Sequence, residues 1–229
     1  MTADSTKAKK RAARETEAET LPAAGDLESL AAGLRSMAES FRNGRAFSFL
    51  RSLAASPPRV ILLEGGNAAE RAGAALYWAM SLNCESPLDA GEDGGPRSPC
   101  PCFSCPVCLK FLARMHRDLF FLDGTTGSIT IDEVRAVRAT LGEAARESKT
   151  RVVILAEAQS LTEAAANAML KSLEEALPAT VFVLTAPQRE RLLPPLVSPS
   201  RVRTRARTGP LVHPGGQMED TGPAAGRLT

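Results

Sequence analysis

The run from Arg151 to Glu175, RVVILAEAQSLTEAAANAMLKSLEE, constrains this chain more than any other. Val152, Val153, Ile154 and Leu155 are consecutive apolar residues, mostly β-branched and too few for a helix. Such a strand has no polar side to show to water, so it must be covered on both faces, as in a parallel sheet layered with helices. Ser160 then stands three residues before Glu163, the spacing of a capping box in which each side chain satisfies an orphan backbone N–H of the other. The spacing predicts a helix starting there. Leu161, Ala165, Ala168, Met169 and Leu173 recur at helical period, while Glu163, Lys171, Glu174 and Glu175 carry the charge.

The same grammar repeats on either side. Val60 to Leu63 reads as a buried strand, and Gly65-Gly66 turns out of it into a helix over residues 68–82 with Ala72, Ala75, Leu76, Ala79 and Met80 on its apolar side. Asp118 to Leu122 and Thr180 to Ala186 read as further strands. Thr130 and Glu133 repeat the capping-box spacing ahead of Val134, Val137, Leu141 and Ala145. Upstream, Leu27, Leu30, Leu34, Met37 and Phe41 recur every three or four positions in a helical section that Pro57 and Pro58 end. Strands alternating with helices imply right-handed crossovers and an α/β fold, a parallel sheet sandwiched by helices.

The two ends differ from the middle, which makes residues 27–198 the folded domain. Residues 1–26 have no apolar periodicity, and Lys7, Lys9, Lys10, Arg11 and Arg14 are nearly balanced by Asp4, Glu15, Glu17 and Glu19, so a disordered, solvated arm is expected. In residues 199–229, Arg201, Arg203, Arg205 and Arg207 alternate with other residues before Gly and Pro take over, which predicts a basic, Gly/Pro-rich tail that is disordered or only weakly ordered. A formal net charge of +2 does not argue for nucleic acid. The amino terminus lacks the apolar centre of a signal peptide, and no apolar run approaches the roughly 20 residues that span a bilayer, so a cytoplasmic chain without a membrane partner is expected.

Four of the five cysteines fall within Cys100 to Cys108. Cys102-Phe-Ser-Cys105-Pro-Val-Cys108 is CxxCxxC, and Cys84 lies upstream across a Gly-, Pro- and acid-rich loop. Thiolates so spaced can converge on one structural Zn²⁺, with Cys84 closing the tetrahedron and leaving no open position for catalysis. Cys100 is the alternative to Cys84 or Cys102, and free or oxidised thiols are the alternative to metal. His116 precedes a strand and is assigned no chemistry.

Residues 151–175 with the strand that follows, the segment Pro58-RVILLEGG-Asn67, the cysteine cluster and His116-RDLFF-Leu122 together resemble the bacterial clamp-loader subunits of the AAA+ class, and most of all those of the δ′ type of DNA polymerase III. The resemblance fades after about Val197. It implies a P-loop NTPase (AAA+)-like sheet with a zinc module inserted at residues 84–108. It also implies a stator role beside γ/τ-type ATPase and δ subunits, serving the sliding clamp and primed DNA through the assembly. A lid and a helical collar would follow in such a subunit, and neither is expected here. An active γ-type ATPase and a stand-alone zinc-binding module or remnant are the rival readings.

A working phosphate loop needs glycines, a Lys for the phosphates and a Ser or Thr for Mg²⁺. Here Gly65-Gly66-Asn67-Ala68-Ala69-Glu70-Arg71-Ala72 places Glu70, Arg71 and Ala72 at the second Gly, the Lys and the Ser/Thr. After the strand ending at Leu155, at the position of the family's second nucleotide motif, Ala156 stands where a metal-organising Asp would be, although Glu157 remains. Two losses in one site predict a chain that neither binds nor hydrolyses ATP at useful affinity; residual binding through Arg71 and the remaining backbone N–H groups is the alternative. The family's trans-acting arginine falls on Arg201 if Ser200-Arg201-Val202 is the matching motif, and is replaced by Pro199 if Ser198 is. Alternatively Arg201 only begins a solvated tail.

Overall fold

A computed structural model describes residues 24–40, 45–89, 99–175, 177, 179–197 and 204–207. Five strands form one parallel sheet: β1 (Val60–Glu64), β4 (Leu119–Asp123), β5 (Arg151–Ala156), β6 (Thr180–Ala186) and β7 (Thr204–Arg207), in the spatial order β4-β5-β6-β1-β7. Strands β2 (Leu88–Asp89) and β3 (Pro99–Cys100) make a separate antiparallel pair. The helices are α1 (Ala24–Ser40), α2 (Arg45–Ala54), α3 (Ala68–Asn83), α4 (Pro106–Leu112), α5 (Ile131–Leu141), α6 (Glu163–Glu174) and the short α7 (Pro194–Val197).

The continuous apolar strands are covered on both faces. Ile61, Leu63, Val152, Ile154, Val181 and Val183 point into one core with Trp78, Met80 and Phe111. Val60, Leu62, Val153, Leu155, Phe182 and Leu184 point into the other with Val134, Val137, Met169 and Leu173. The period of two along each strand therefore sends successive residues to opposite cores. Each such side chain, taken from water to full burial, contributes about 1.5–3 kcal/mol before entropy is counted. Helix α3 is buried nearly all round from Gly73 to Ser81, because α1, α2 and α4 pack over the side that the sheet leaves free. No helix among the described residues is long and apolar enough to cross a membrane.

Three expectations are corrected here. The helical section over 27–53 is two helices, the first beginning at Ala24, so the last residues assigned to the arm are already ordered. Residues 1–23 of that arm lie outside the described residues. Helix α6 is not capped by Ser160: Ala158–Ser160 form a 3-10 turn, and Thr162 caps the helix by accepting from the Ala165 N–H at 3.2 Å. The reason is Glu157, whose left-handed backbone (φ 53°) forces a tight turn before the helix can start. Ser160 instead donates to the Gly124 carbonyl at 2.9 Å. Finally, the tail, expected to be disordered or only weakly ordered, contributes the short edge strand β7, paired in parallel with β1 from Ile61↔Thr204 to Glu64↔Arg207. An edge strand needs only its backbone in register, and Thr-Arg-Ala-Arg carries no apolar run to announce it. The rest of the tail lies outside the described residues.

The capping box of Thr130 and Glu133 forms as expected, with the Thr130 N–H donating to Glu133 Oε2 at 2.7 Å.

Candidate functional site

The carboxyl ends of β1, β5 and β6 meet at the loop that follows β1, where ligands settle in open parallel sheets. Gly65 (φ 83°) and Gly66 (φ 57°) take the left-handed conformations that let the chain reverse into α3. Asn67 caps that helix. Its Oδ1 accepts from the Glu70 N–H, and Glu70 Oε2 accepts from the Asn67 N–H, both at 2.9 Å. Glu70, at the position of the phosphate loop's second Gly, is thus turned back along the helix start and closes a capping box that the sequence reading missed.

Arg71 turns inward. Its Nε and Nη2 donate to Glu157 Oε1 at 2.9 and 2.6 Å, and its Nη1 donates to the carbonyls of Gly65 and Gly66 at 2.8 and 2.7 Å. The two side chains are 3% and 9% exposed. Glu157 is held in turn by Gln159 Nε2 at 2.8 Å, and its own N–H donates to Thr185 Oγ1 at 2.9 Å. Ala156 closes β5 with its side chain buried, and its carbonyl accepts from the Gly124 N–H at 2.9 Å. The fold therefore brings Gly65, Gly66, Arg71 and Glu157 together, leaves Ala72 half-buried on α3, and buries the Ala156 side chain. A buried ion pair of this quality is satisfied internally and would be costly to break on one side.

The thiols of Cys84, Cys102, Cys105 and Cys108 all lie within 4.8 Å of one another. Cys84 Sγ is 3.9 Å from Cys105 Sγ, and Cys102 Sγ is 4.0 Å from Cys108 Sγ. A tetrahedron of thiolates about 2.3 Å from zinc has edges of about 3.8 Å, so the donor set fits and these four could hold a metal ion. The local sequence explains the convergence. Cys84 is the C-cap of α3, and Cys105 is the N-cap of α4 and accepts from the Cys108 N–H. Between them Phe103 (φ 58°) kinks the chain so that the Cys105 N–H donates to Cys102 Sγ at 3.2 Å. Burial raises the Cys102 thiol, but donors from Ser104 and Cys105 outweigh it and bring the pKa down to about 6. Burial pushes Cys84 and Cys108 up. Cys102 therefore ionises readily, whereas Cys84 and Cys108 would do so with a cation beside them. Cys100 is outside the group, with Tyr77 Oη–H 3.5 Å from its sulfur, so Cys84 is the fourth member.

Asp118 carries more than the sequence disclosed. Its carboxylate is 1% exposed and accepts from the N–H groups of Arg146, Glu147 and Ser148 at 2.7–3.0 Å, and from Ser148 Oγ at 3.1 Å. Arg151 Nε lies 3.7 Å away, and its Nη atoms donate to the carbonyls of Leu141, Glu143 and Ala144. Burial works to raise the Asp118 pKa, but the backbone donors prevail and hold it below the usual carboxylate value. Most of its partners are backbone N–H groups, which no residue pattern marks. His116 is buried against Phe111, ring centroids 4.5 Å apart, and its Nδ1 accepts from the Asp118 N–H at 3.1 Å. Burial lowers its pKa, as suits a packed neutral ring. Arg201 and its neighbours Ser198, Pro199 and Ser200 lie outside the described residues.

Comparison with known proteins places this geometry. Residues 49–205 match the family model described as DNA polymerase III, delta subunit, so the match runs past Val197 and into β7. The chain is 34% identical over 139 residues to the DNA polymerase III subunit delta′ of Pseudomonas aeruginosa, covering 60% of this chain and 40% of that one. It is 39% identical over 132 residues to the Escherichia coli subunit delta′, covering 56% and 37%. Among solved structures, a DNA polymerase III gamma subunit-related protein from Thermotoga maritima superposes with a TM-score of 0.52 at 21% identity, covering 72% of this chain and 46% of that one, which supports the fold. The chain spans about 40% of the length of these curated relatives. The family model matches residues 49–205, most of the chain: the chain belongs to the DNA polymerase III delta-subunit family, with delta′ subunits among its relatives.

Proposed function

We propose that this chain is a non-catalytic clamp-loader subunit of the δ′ kind, a stator beside γ/τ-type ATPase and δ subunits that assists ATP-driven loading of a sliding clamp on primed DNA in the cytoplasm. The observation that carries the non-catalytic part is Arg71, whose guanidinium fills the space between the Gly65-Gly66 carbonyls and Glu157. A triphosphate entering there would meet carbonyl oxygens and a carboxylate once Arg71 left, and Ala72 and Ala156 offer Mg²⁺ no oxygen from their side chains. These features stand against an active γ-type ATPase. Cys84, Cys102, Cys105 and Cys108 would hold a structural Zn²⁺, which supplies a crosslink between the end of α3 and the start of α4. Arg201 remains the candidate for an arginine that serves a neighbouring subunit's ATP site.

Size-exclusion co-elution with the γ/τ-type and δ subunits of the same organism tests the role, with a stable complex expected. Titration of the isolated chain with Mg-ATP tests the site. Micromolar binding would refute the non-catalytic reading, and a chain that stays apart from its partners would refute the stator. Arg201→Ala in the assembled loader should lower ATP turnover, and unchanged turnover removes Arg201 from the proposal.

A further inference from the structure

We infer that the loop after β1 is a guanidinium-receiving site filled in cis by Arg71, rather than a phosphate site with parts missing. A phosphate cradle turns backbone N–H groups inward. Here the polarity is reversed: Gly65 and Gly66 present carbonyl oxygens to Nη1, and Glu157 presents a carboxylate oxygen to Nε and Nη2. These contacts use four of the five N–H donors of the guanidinium. The acceptors are themselves fixed. Gln159 holds the second carboxylate oxygen, and Thr185 on β6 holds the left-handed Glu157 backbone. One guanidinium thereby joins the loop of β1 to the ends of β5 and β6.

The chemistry selects a forked planar cation. Arg71 enters from the first turn of α3, and its fork reaches a carboxylate on one side and two carbonyls on the other. A lysine ammonium is a compact, strongly hydrated point charge and does not reproduce that arrangement. Gly65 and Gly66 hold their carbonyls inward through positive φ, so the receiving walls belong to the backbone conformation as much as to the side chains. The inference deepens the no-nucleotide part of the function proposed above, and states what the site binds instead.

Chemical rescue tests it. The full chain carrying Arg71→Ala is melted in guanidinium chloride at up to about 20 mM and in NaCl of equal ionic strength. A saturable rise in midpoint with guanidinium alone is expected; at about ten times its dissociation constant the ligand multiplies the folded-to-unfolded ratio roughly elevenfold, a shift of about 3–6 °C. Adding Glu157→Gln should abolish the response, and Arg71→Lys should melt below the unaltered chain. Equal response to NaCl, or binding of inorganic triphosphate to the Arg71→Ala chain, overturns the inference. Should that variant not fold, the unaltered chain decides by NMR: the Arg71 Nε–H, identified by its loss in Arg71→Lys, should exchange slowly and ignore Mg-ATP. Fast exchange or movement on adding Mg-ATP overturns it. Mg-ATP binding to the unaltered chain would also sink the non-catalytic reading, whereas absence of guanidinium rescue with ATP still unbound sinks this inference alone.

Discussion

Replacing Asp118 with Asn should remove the charge that organises residues 142–150 while leaving the shape of the side chain intact. The carboxylate accepts from three backbone N–H groups, those of Arg146, Glu147 and Ser148, in a site closed to water. Each falls from a charge-assisted to a neutral hydrogen bond, a loss of about 1 kcal/mol apiece and about 3 kcal/mol in all. The new amide N–H₂ must also face either Arg151 or a backbone donor, so the loss is not recovered elsewhere. For a chain of this size that lowers the melting midpoint by about 6–12 °C.

Urea unfolding of the two chains across pH supplies a second check. The folded pKa of Asp118 is depressed, so its contribution is present above the unfolded value of about 3.9 and is lost as pH falls through the lower folded value. The Asn variant has no such titration, and the gap between the two chains should hold down to about pH 5, then narrow as pH falls past the unfolded value toward the lower folded one. A loss under about 1 kcal/mol at neutral pH, or a gap that does not change with pH, refutes the assignment of Asp118 as the anchor of this loop.

Other consequences are as direct. Chain purified without chelator should carry about one zinc by metal analysis, and Cys102→Ser or a strong chelator should release it and loosen α4 from α3, seen as faster amide exchange at residues 102–112. Gly124→Ala should cost about 1–3 kcal/mol, because an added Cβ would stand 2.7 Å from the Glu157 carbonyl and 2.8 Å from that of Ala156, backbone atoms that cannot step aside. Thermal melts showing no loss would mean the turn after β4 is free to shift. Thr162→Ala should cost about 1 kcal/mol through loss of the α6 cap, measured by urea unfolding; a larger loss from Ser160→Ala would contradict the observed helix start.

What the sequence disclosed and what it withheld divide along physical lines. Val152 to Leu155 and Val181 to Leu184 are buried on both faces, and a continuous apolar run needs no partner to be recognised. The cysteines were legible because three of the four thiols that could hold one metal ion lie close in sequence, with only Cys84 supplied from the far side of a loop. The cap of α6 was misplaced because Ser160 and Thr162 both stand before the helix, and the choice between them rests on the left-handed Glu157, which no residue pattern marks. Glu70 was legible as a departure from a phosphate loop, yet its actual use as the partner of Asn67 is a contact within one turn. The inward course of Arg71 depends on Glu157, 86 residues away, and only the folded sheet joins them. Strand β7 is held by backbone pairing with β1, to which side-chain periodicity is blind.

The position of β1 bears on how the chain is made. Both of its neighbours, β6 and β7, come from the last third of the sequence. On a ribosome adding about 5–20 residues per second, Val60 to Leu63 would wait roughly 6–24 s for β6 to be synthesised. Until β7 follows, one edge of a strand that is apolar from Val60 to Leu63 stays open, the kind of edge that pairs with other chains. A version ending at Val197 would keep both cores and four strands of the sheet but leave that edge permanently bare, and its failing would be precipitation rather than weak folding.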